Sequence, residues 1–349
     1  MFARSPSTPP ELRVGGLSGL VPLKDGRELL AISDDRDHPR VFRFRIDLDS
    51  DRLHVQTAGI IYLQPSGAAP AHLDTEAIAI TRNGHMLITS EGVGDEEPRM
   101  PPALLEYSSD GRFIRQLPVK DRYSPTPHGP LMSGVRDNAG FESLAMSSDH
   151  TRMFTATELP LAQDGEADAF THGTRSRLLE YVAEEGSYAA RREFAYEIEP
   201  ISRPSFEVRR AVNGVVELLS LAGDGLLAME RGFVESVDGT RALNRIRIFR
   251  IDLAGATDIS GVDSLRDARG VVPVRKTLVL DVNTLAGLAP PLTLLDNFEG
   301  MTWGPRDAGG SRSLLLVSDD NFSERQVTAF LLLRVPGYVG PWVPKSVGP

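Results

Sequence analysis

The sequence predicts an all-β protein in which one four-stranded unit recurs, and three observations carry that expectation. Short apolar runs of strand length, such as Met86–Ser90, Met153–Thr157 and Ser313–Ser318, are bounded by Gly, Pro, Asp and Asn. No long stretch shows the 3.6-residue period of an amphipathic helix. Five segments share one layout: an apolar run opening on a polar residue, a turn, a second apolar run, then acidic residues. Four strands per repeat, repeated around a ring, is the β-propeller arrangement. Five blades are expected, with six as the alternative if one blade has lost the motif. The competing architecture, two β-sandwiches, gives no reason for one acidic pattern to appear five times.

The first repeat opens at Ser18-Gly-Leu, continues in ELLAIS (28–33) and closes on Asp34 and Asp35, after which VFRFRI (41–46) alternates as a half-exposed strand. The second runs from Glu76 through MLITS (86–90) to Glu91, and LLEYSSDGRFIRQLPV (104–119) supplies two outer strands. The third runs from Glu142 through MFTAT (153–157) to Glu158, with outer strands in 178–198. The fourth runs from Glu217 through LLAM (226–229) to Glu230 and Arg231, followed by IRIFRIDL (246–253) and KTLVLDV (276–282). The fifth runs from Glu299 through LLLVS (314–318) to Asp319 and Asp320, and 327–335 adds a third strand. Leu12–Val14 is expected to provide its fourth strand and close the ring. No boundary divides the 349 residues, so one domain is expected; 94–102, 121–140, 159–176, 199–212 and 254–273 read as long loops.

Composition narrows the function. A net charge of −10 argues against nucleic acid and anionic membrane as partners. The absence of cysteine excludes disulfides, thiolate metal sites and a cysteine nucleophile. No apolar run approaches the ~20 residues of a membrane span, and the opening MFARSPSTPP lacks the apolar centre of a signal peptide. Walker, HExxH and G-x-S-x-G patterns are missing. A monomer is expected.

In a propeller blade the start of the innermost strand and the end of the second lie at the same rim. Glu76 with Glu91, Glu142 with Glu158, Glu217 with Glu230, Glu299 with Asp319 and Asp320, and Asp34 with Asp35 are therefore expected to converge on one end of the axis. Converging carboxylates repel, and burial adds to the cost. Three arrangements relieve this: hard cations, with Ca²⁺ best suited to oxygen donors; pairing with Arg36, Arg231 or Arg325; or capping of turn N–H groups. His38 and His72 adjoin the rim and are candidates for proton transfer.

The motifs GLSGLVPLKDGRELLAISDD (16–35), DTEAIAI (74–80), GFESLAM (140–146), LLAMERGF (226–233), DNFEGMTWGP (296–305) and LLLVSDDNF (314–322) together resemble the phytase-like family described as "esterase-like activity of phytase", over about residues 15–335. The resemblance implies a β-propeller, export to the periplasm or medium, and hydrolysis of phosphate or carboxylic esters. It also implies that the rim acids hold Ca²⁺, which would bind the substrate phosphate and activate water. No cluster of lysines suits a highly phosphorylated substrate, so a simpler phosphate ester is expected as readily as phytate.

Three functions compete at this point. The first is a Ca²⁺-dependent phosphoesterase, with the rim acids as ligands, Arg36, Arg231 or Arg325 on the phosphate, and His72 or His38 moving protons. The second is a calcium lactonase or carboxylesterase propeller, for which Glu299-Gly300 fits the Glu-Gly step at the head of an inner strand. The third is a non-enzymatic binding propeller, with loops such as 121–140 and 159–176 holding a ligand or protein.

Overall fold

The computed structural model describes Pro9 and residues 12–334, apart from 24–25, 50–51, 65–72, 96, 222, 224, 289–291, 293–294 and 307–310. Its strands form five antiparallel sheets, each meandering in chain order. The first holds β1 (Leu17–Leu23), β2 (Glu28–Ser33), β3 (Arg40–Asp49) and β4 (Arg52–Tyr62). The second holds β5 (Thr75–Ile80), β6 (Met86–Ser90), β7 (Ala103–Tyr107) and β8 (Phe113–Leu117). The third holds β9 (Ala145–Met146), β10 (Arg152–Ala156), β11 (Arg175–Glu184) and β12 (Ser187–Glu197). The fourth holds β13 (Val208–Ser220), β14 (Gly225–Ser236), β15 (Ala242–Asp252) and β16 (Arg275–Asp281), and the fifth β17 (Asn297–Trp303), β18 (Ser313–Asp319) and β19 (Phe330–Arg334). The innermost strands β1, β5, β9, β13 and β17 neighbour one another around the axis, which makes a five-bladed propeller. Among the described residues no helix is long and apolar enough to cross a membrane.

Apolar clusters between successive blades hold the ring. Ile32 and Val41 meet Ile88 and Tyr107 between blades one and two. Leu87 and Leu104 meet Met153 and Tyr181 between two and three. Phe154 and Phe194 meet Leu226 and Ile251 between three and four, and Met229 and Ile248 meet Phe298 and Leu316 between four and five. Each such side chain contributes roughly 1.5–3 kcal/mol on burial.

Ring closure differs from the expectation. Leu12–Val14 forms no strand, and the fifth sheet has three strands among the described residues. The ring closes instead by packing Leu315 and Val317 of blade five against Leu17, Ala31 and Phe44 of blade one. Phe44 meets the edge of Phe330 with ring centroids 5.7 Å apart. Face-to-face burial of two amphipathic sheets needs no shared strand, so the N-terminal segment is not required to pair.

The inner strands carry a common irregularity. Register shifts by one residue between Leu17 and Gly19, Thr75 and Ile78, Val215 and Glu217, and Phe298 and Gly300. In blade three the Phe141–Thr157 bridge is likewise offset from the Ala145–Phe154 pairing. A β-bulge re-aims the extra side chain. Here it falls at or beside Ser18, Glu76, Glu142, Glu217 and Glu299, the positions that open the five repeats.

Candidate functional site

Bulged inner strands and the ends of the second strands bring acids to one end of the axis. Asp34, Glu76, Glu91, Glu142, Glu158, Glu299 and Asp319 meet there, joined by Asp74, which sequence reasoning did not single out as a site residue. Oxygens of Asp74, Glu76 and Glu91 lie within 4.8 Å of one another, and all three residues are buried. Asp74 stands two residues before Glu76 on the same face of the strand, as Asn297 stands before Glu299. That spacing was the signal that could have found it.

Burial pushes the carboxyls of Asp34, Glu76, Glu91, Glu142, Glu299 and Asp319 up, and neighbouring acids add to the effect. Asp34 is raised to about 7, by burial first and then by Glu299, Asp74 and the two following aspartates of blade five and blade one. Glu76, Glu142 and Asp319 are held well above the usual carboxylate range by burial and by the other rim acids. Glu91 is raised by burial and by Asp74, while Gly140 N–H and the Glu142 carboxyl donate to it. The Glu91–Glu142 contact between two carboxyl groups requires a shared proton.

Two guanidiniums enter the ring. Arg36 forks onto Asp74, with Nε 2.8 Å from Oδ1, yet its side chain remains 59% exposed at the mouth. Arg231 is largely buried, its side chain 13% exposed, with Nη2 3.0 Å from Glu158 Oε1 and Nη1 2.8 Å from Glu299 Oε1.

The remaining candidates lie elsewhere. Asp35 accepts from Arg40 Nη1 at 2.5 Å and from the N–H groups of Asp37 and His38, as a turn-forming aspartate does. Asp320 accepts from the N–H groups of Gly16 and Phe322. Glu230 turns toward the outer strands of its blade and holds Lys276 Nζ at 2.6 Å, Arg247 and the Tyr196 hydroxyl. Glu217 accepts from the N–H groups of Leu144 and Leu218 and is also held by Met301 N–H, which pins three adjacent inner strands together. Leu144, Leu218 and Met301 line a mainly apolar cavity of about 610 Å³ at the opposite mouth of the axis, so Glu217 stands between that cavity and the acids. His38 is exposed on the rim loop, 3.5 Å from Asp35. Arg325 is exposed on the β18–β19 loop. His72 lies outside the described residues.

Glycine makes room for the ring at Gly140, whose N–H donates to Glu91 Oε2 at 3.0 Å. A Cβ there would stand 2.0 Å from the Glu91 carbonyl oxygen, so the two backbones would have to separate. Gly140→Ala is expected to lose about 1–3 kcal/mol of unfolding free energy in a denaturant titration. Gly59→Ala, where a Cβ meets nothing within 4 Å, is expected to change it by less than about 0.5 kcal/mol. Equal effects would show that close approach is not what glycine supplies at position 140.

The phytase-like family model, described as esterase-like activity of phytase, matches residues 12–322. No curated protein matches the sequence. Among solved structures, the endo-arabinase of Bacteroides thetaiotaomicron VPI-5482 is similar at 11% identity over 95% of this chain and 97% of its own, with a TM-score of 0.45. The periplasmic gluconolactonase of Pseudomonas aeruginosa is similar at 14% identity over 91% of this chain and 85% of its own, with a TM-score of 0.33. At these scores the likenesses carry no activity over to this chain.

Proposed function

We propose that this chain, which belongs to the phytase-like family, is a divalent-cation-dependent hydrolase of phosphate esters that works at the acidic end of the propeller axis. The observation that carries this reading is the buried trio Asp74, Glu76 and Glu91, whose oxygens lie within 4.8 Å of one another. Buried carboxylates this close must take up protons or hold a cation. Oxygen-only donors fit a hard ion, and Ca²⁺ is the ion we assign. Glu76 supports the fit: it is 7% exposed and repelled by Glu91, Asp74, Asp34 and Glu299.

Bound there, the ion would polarise a phosphoryl oxygen and lower the pKa of a water. The chain's own groups supply the rest. Asp74 takes the Nε and Nη2 side of the Arg36 guanidinium and orients it at the open mouth, leaving Nη1 to meet a phosphate oxygen. The proton shared by Glu91 and Glu142 can leave when positive charge arrives, which couples occupancy to proton release. The lactone or carboxylic-ester alternative leans on Glu299, and the Glu299 carboxylate is already engaged by Arg231 and by Asn297 Nδ2 at 2.9 Å.

Hydrolysis of an aryl phosphate, an aryl carboxylic ester and a lactone should be assayed with Ca²⁺ and with chelator. Chelator-sensitive turnover of the phosphate is expected, and Glu76→Gln combined with Glu91→Gln should remove both turnover and Ca²⁺ binding from a folded protein. Preference for the lactone would favour the alternative ester chemistry. Activity against none of the three would leave a binding propeller.

A further inference from the structure

The ring is not five-fold in charge. In blades one, two, three and five the second strand or the residues just after it deliver Asp34, Glu91, Glu158 and Asp319 to the axis. In blade four β14 continues through this position to Ser236, Glu230 turns outward, and the next residue, Arg231, turns inward. Neighbouring residues are shaped to receive it. Arg231 pairs across the ladder with Gly214, where a Cβ would stand 2.4 Å from Glu158 Cγ. Only glycine there lets Glu158 lie across β13 and reach the guanidinium. Asn297 accepts from Arg231 through Oδ1 and donates to Glu299 through Nδ2, which orients the second carboxylate.

One half of the ring is therefore neutralised from within. A guanidinium stays protonated throughout the working pH range, so this charge cannot leave. Among the described residues, the other half, around Asp74, Glu76 and Glu91, has Arg36 alone, which sits on Asp74 at the solvent edge.

We infer that Arg231 occupies, as a permanent internal cation, the place between Glu158 and Glu299 that a second metal ion would take, so that the chain binds one divalent ion, at Asp74, Glu76 and Glu91. The inference rests on the metal reading of the acidic ring and fixes its stoichiometry. It also assigns Arg231 to the scaffold of the site, leaving Arg36 as the arginine that meets substrate.

Calorimetry with Ca²⁺ on the full chain tests it. Wild type is expected to show one site per chain, and Arg231→Gln two. Glu299→Gln in the presence of Arg231 provides a second route should Arg231→Gln fail to fold. Glu299→Gln is expected to keep one site with affinity reduced by less than about tenfold, the lower end of the effect of groups outside a coordination shell. Glu76→Gln should weaken that site by more. Two sites in wild type would overturn the single-ion assignment, one site in a folded Arg231→Gln would overturn the placing of Arg231 in a second ion's position, and loss of binding in Glu299→Gln would overturn the siting of the ion at Asp74, Glu76 and Glu91, each leaving the metal reading intact. No binding by wild type would overturn the metal reading itself, a result distinct from all of these.

Discussion

Replacing Arg177 with methionine is expected to lower the unfolding free energy by about 3–5 kcal/mol, the cost of stranding a buried charge. Arg177 on β11 is fully buried, and so is the Asp164 carboxylate that it grips through Nε at 2.6 Å and Nη2 at 2.9 Å. Its Nη1 reaches Glu193 Oε2 at 3.2 Å and the Val262 carbonyl at 2.9 Å. One guanidinium thus ties the loop after β10, the loop after β15 and strand β12 to blade three. The Val262 carbonyl also accepts from Arg122, which anchors the segment leading toward Gly140 and Glu142. Methionine would fill much of the volume but leave Asp164, among the described residues, with only the Leu265 N–H, at 2.8 Å. Glu193 would fare better, since Lys120 Nζ lies 2.7 Å away and the Tyr123 hydroxyl donates to it at 2.9 Å. Asp164→Asn in the methionine background should accordingly restore part of the loss, and Glu193→Gln less. A denaturant titration of the four proteins measures this. A loss below about 1 kcal/mol for Arg177→Met would mean that the loops are held by other contacts.

Most of the blade order was readable because a repeat declares itself through period. Glu76 and Glu91, Glu142 and Glu158, and Glu299 and Asp319 were expected at one rim, and the structure places them together. What misled the reading was local register. The blade-four bulge falls between Val215 and Glu217, one residue earlier relative to the repeat than the bulge at Glu299. Glu217 therefore caps neighbouring N–H groups along the axis. A one-residue difference reverses which face a strand side chain occupies. Glu230 and Arg231 show the same effect: the motif aligns Glu230 with Glu91, but the inward residue is Arg231. Asp74 escaped notice for the opposite reason, since it precedes the repeated acid and has no carboxylate counterpart in the other blades. The N-terminal strand was inferred from the need to close a ring, whereas apolar packing between blades one and five does so.

Stability is expected to fall with rising pH in chelator and to hold level or climb in Ca²⁺. In chelator, burial and mutual repulsion raise Asp34 to about 7 and hold Glu76, Glu91, Glu142 and Asp319 above the usual carboxylate range. The folded protein then binds more protons than the unfolded chain between about pH 4 and the raised values, so its stability falls as pH rises through that window. With Ca²⁺ in excess this loss is offset, because the ion competes with protons for the same oxygens and binds more tightly as they leave. An ion present at about a hundred times its dissociation constant adds about 2.7 kcal/mol to the folded state. Melting curves from pH 5 to pH 8 should therefore decline in chelator and stay level or climb in Ca²⁺. The gap between the two should widen with pH and shrink in Glu76→Gln. Parallel curves would show that these carboxyls neither hold protons in the free protein nor exchange them for a metal ion.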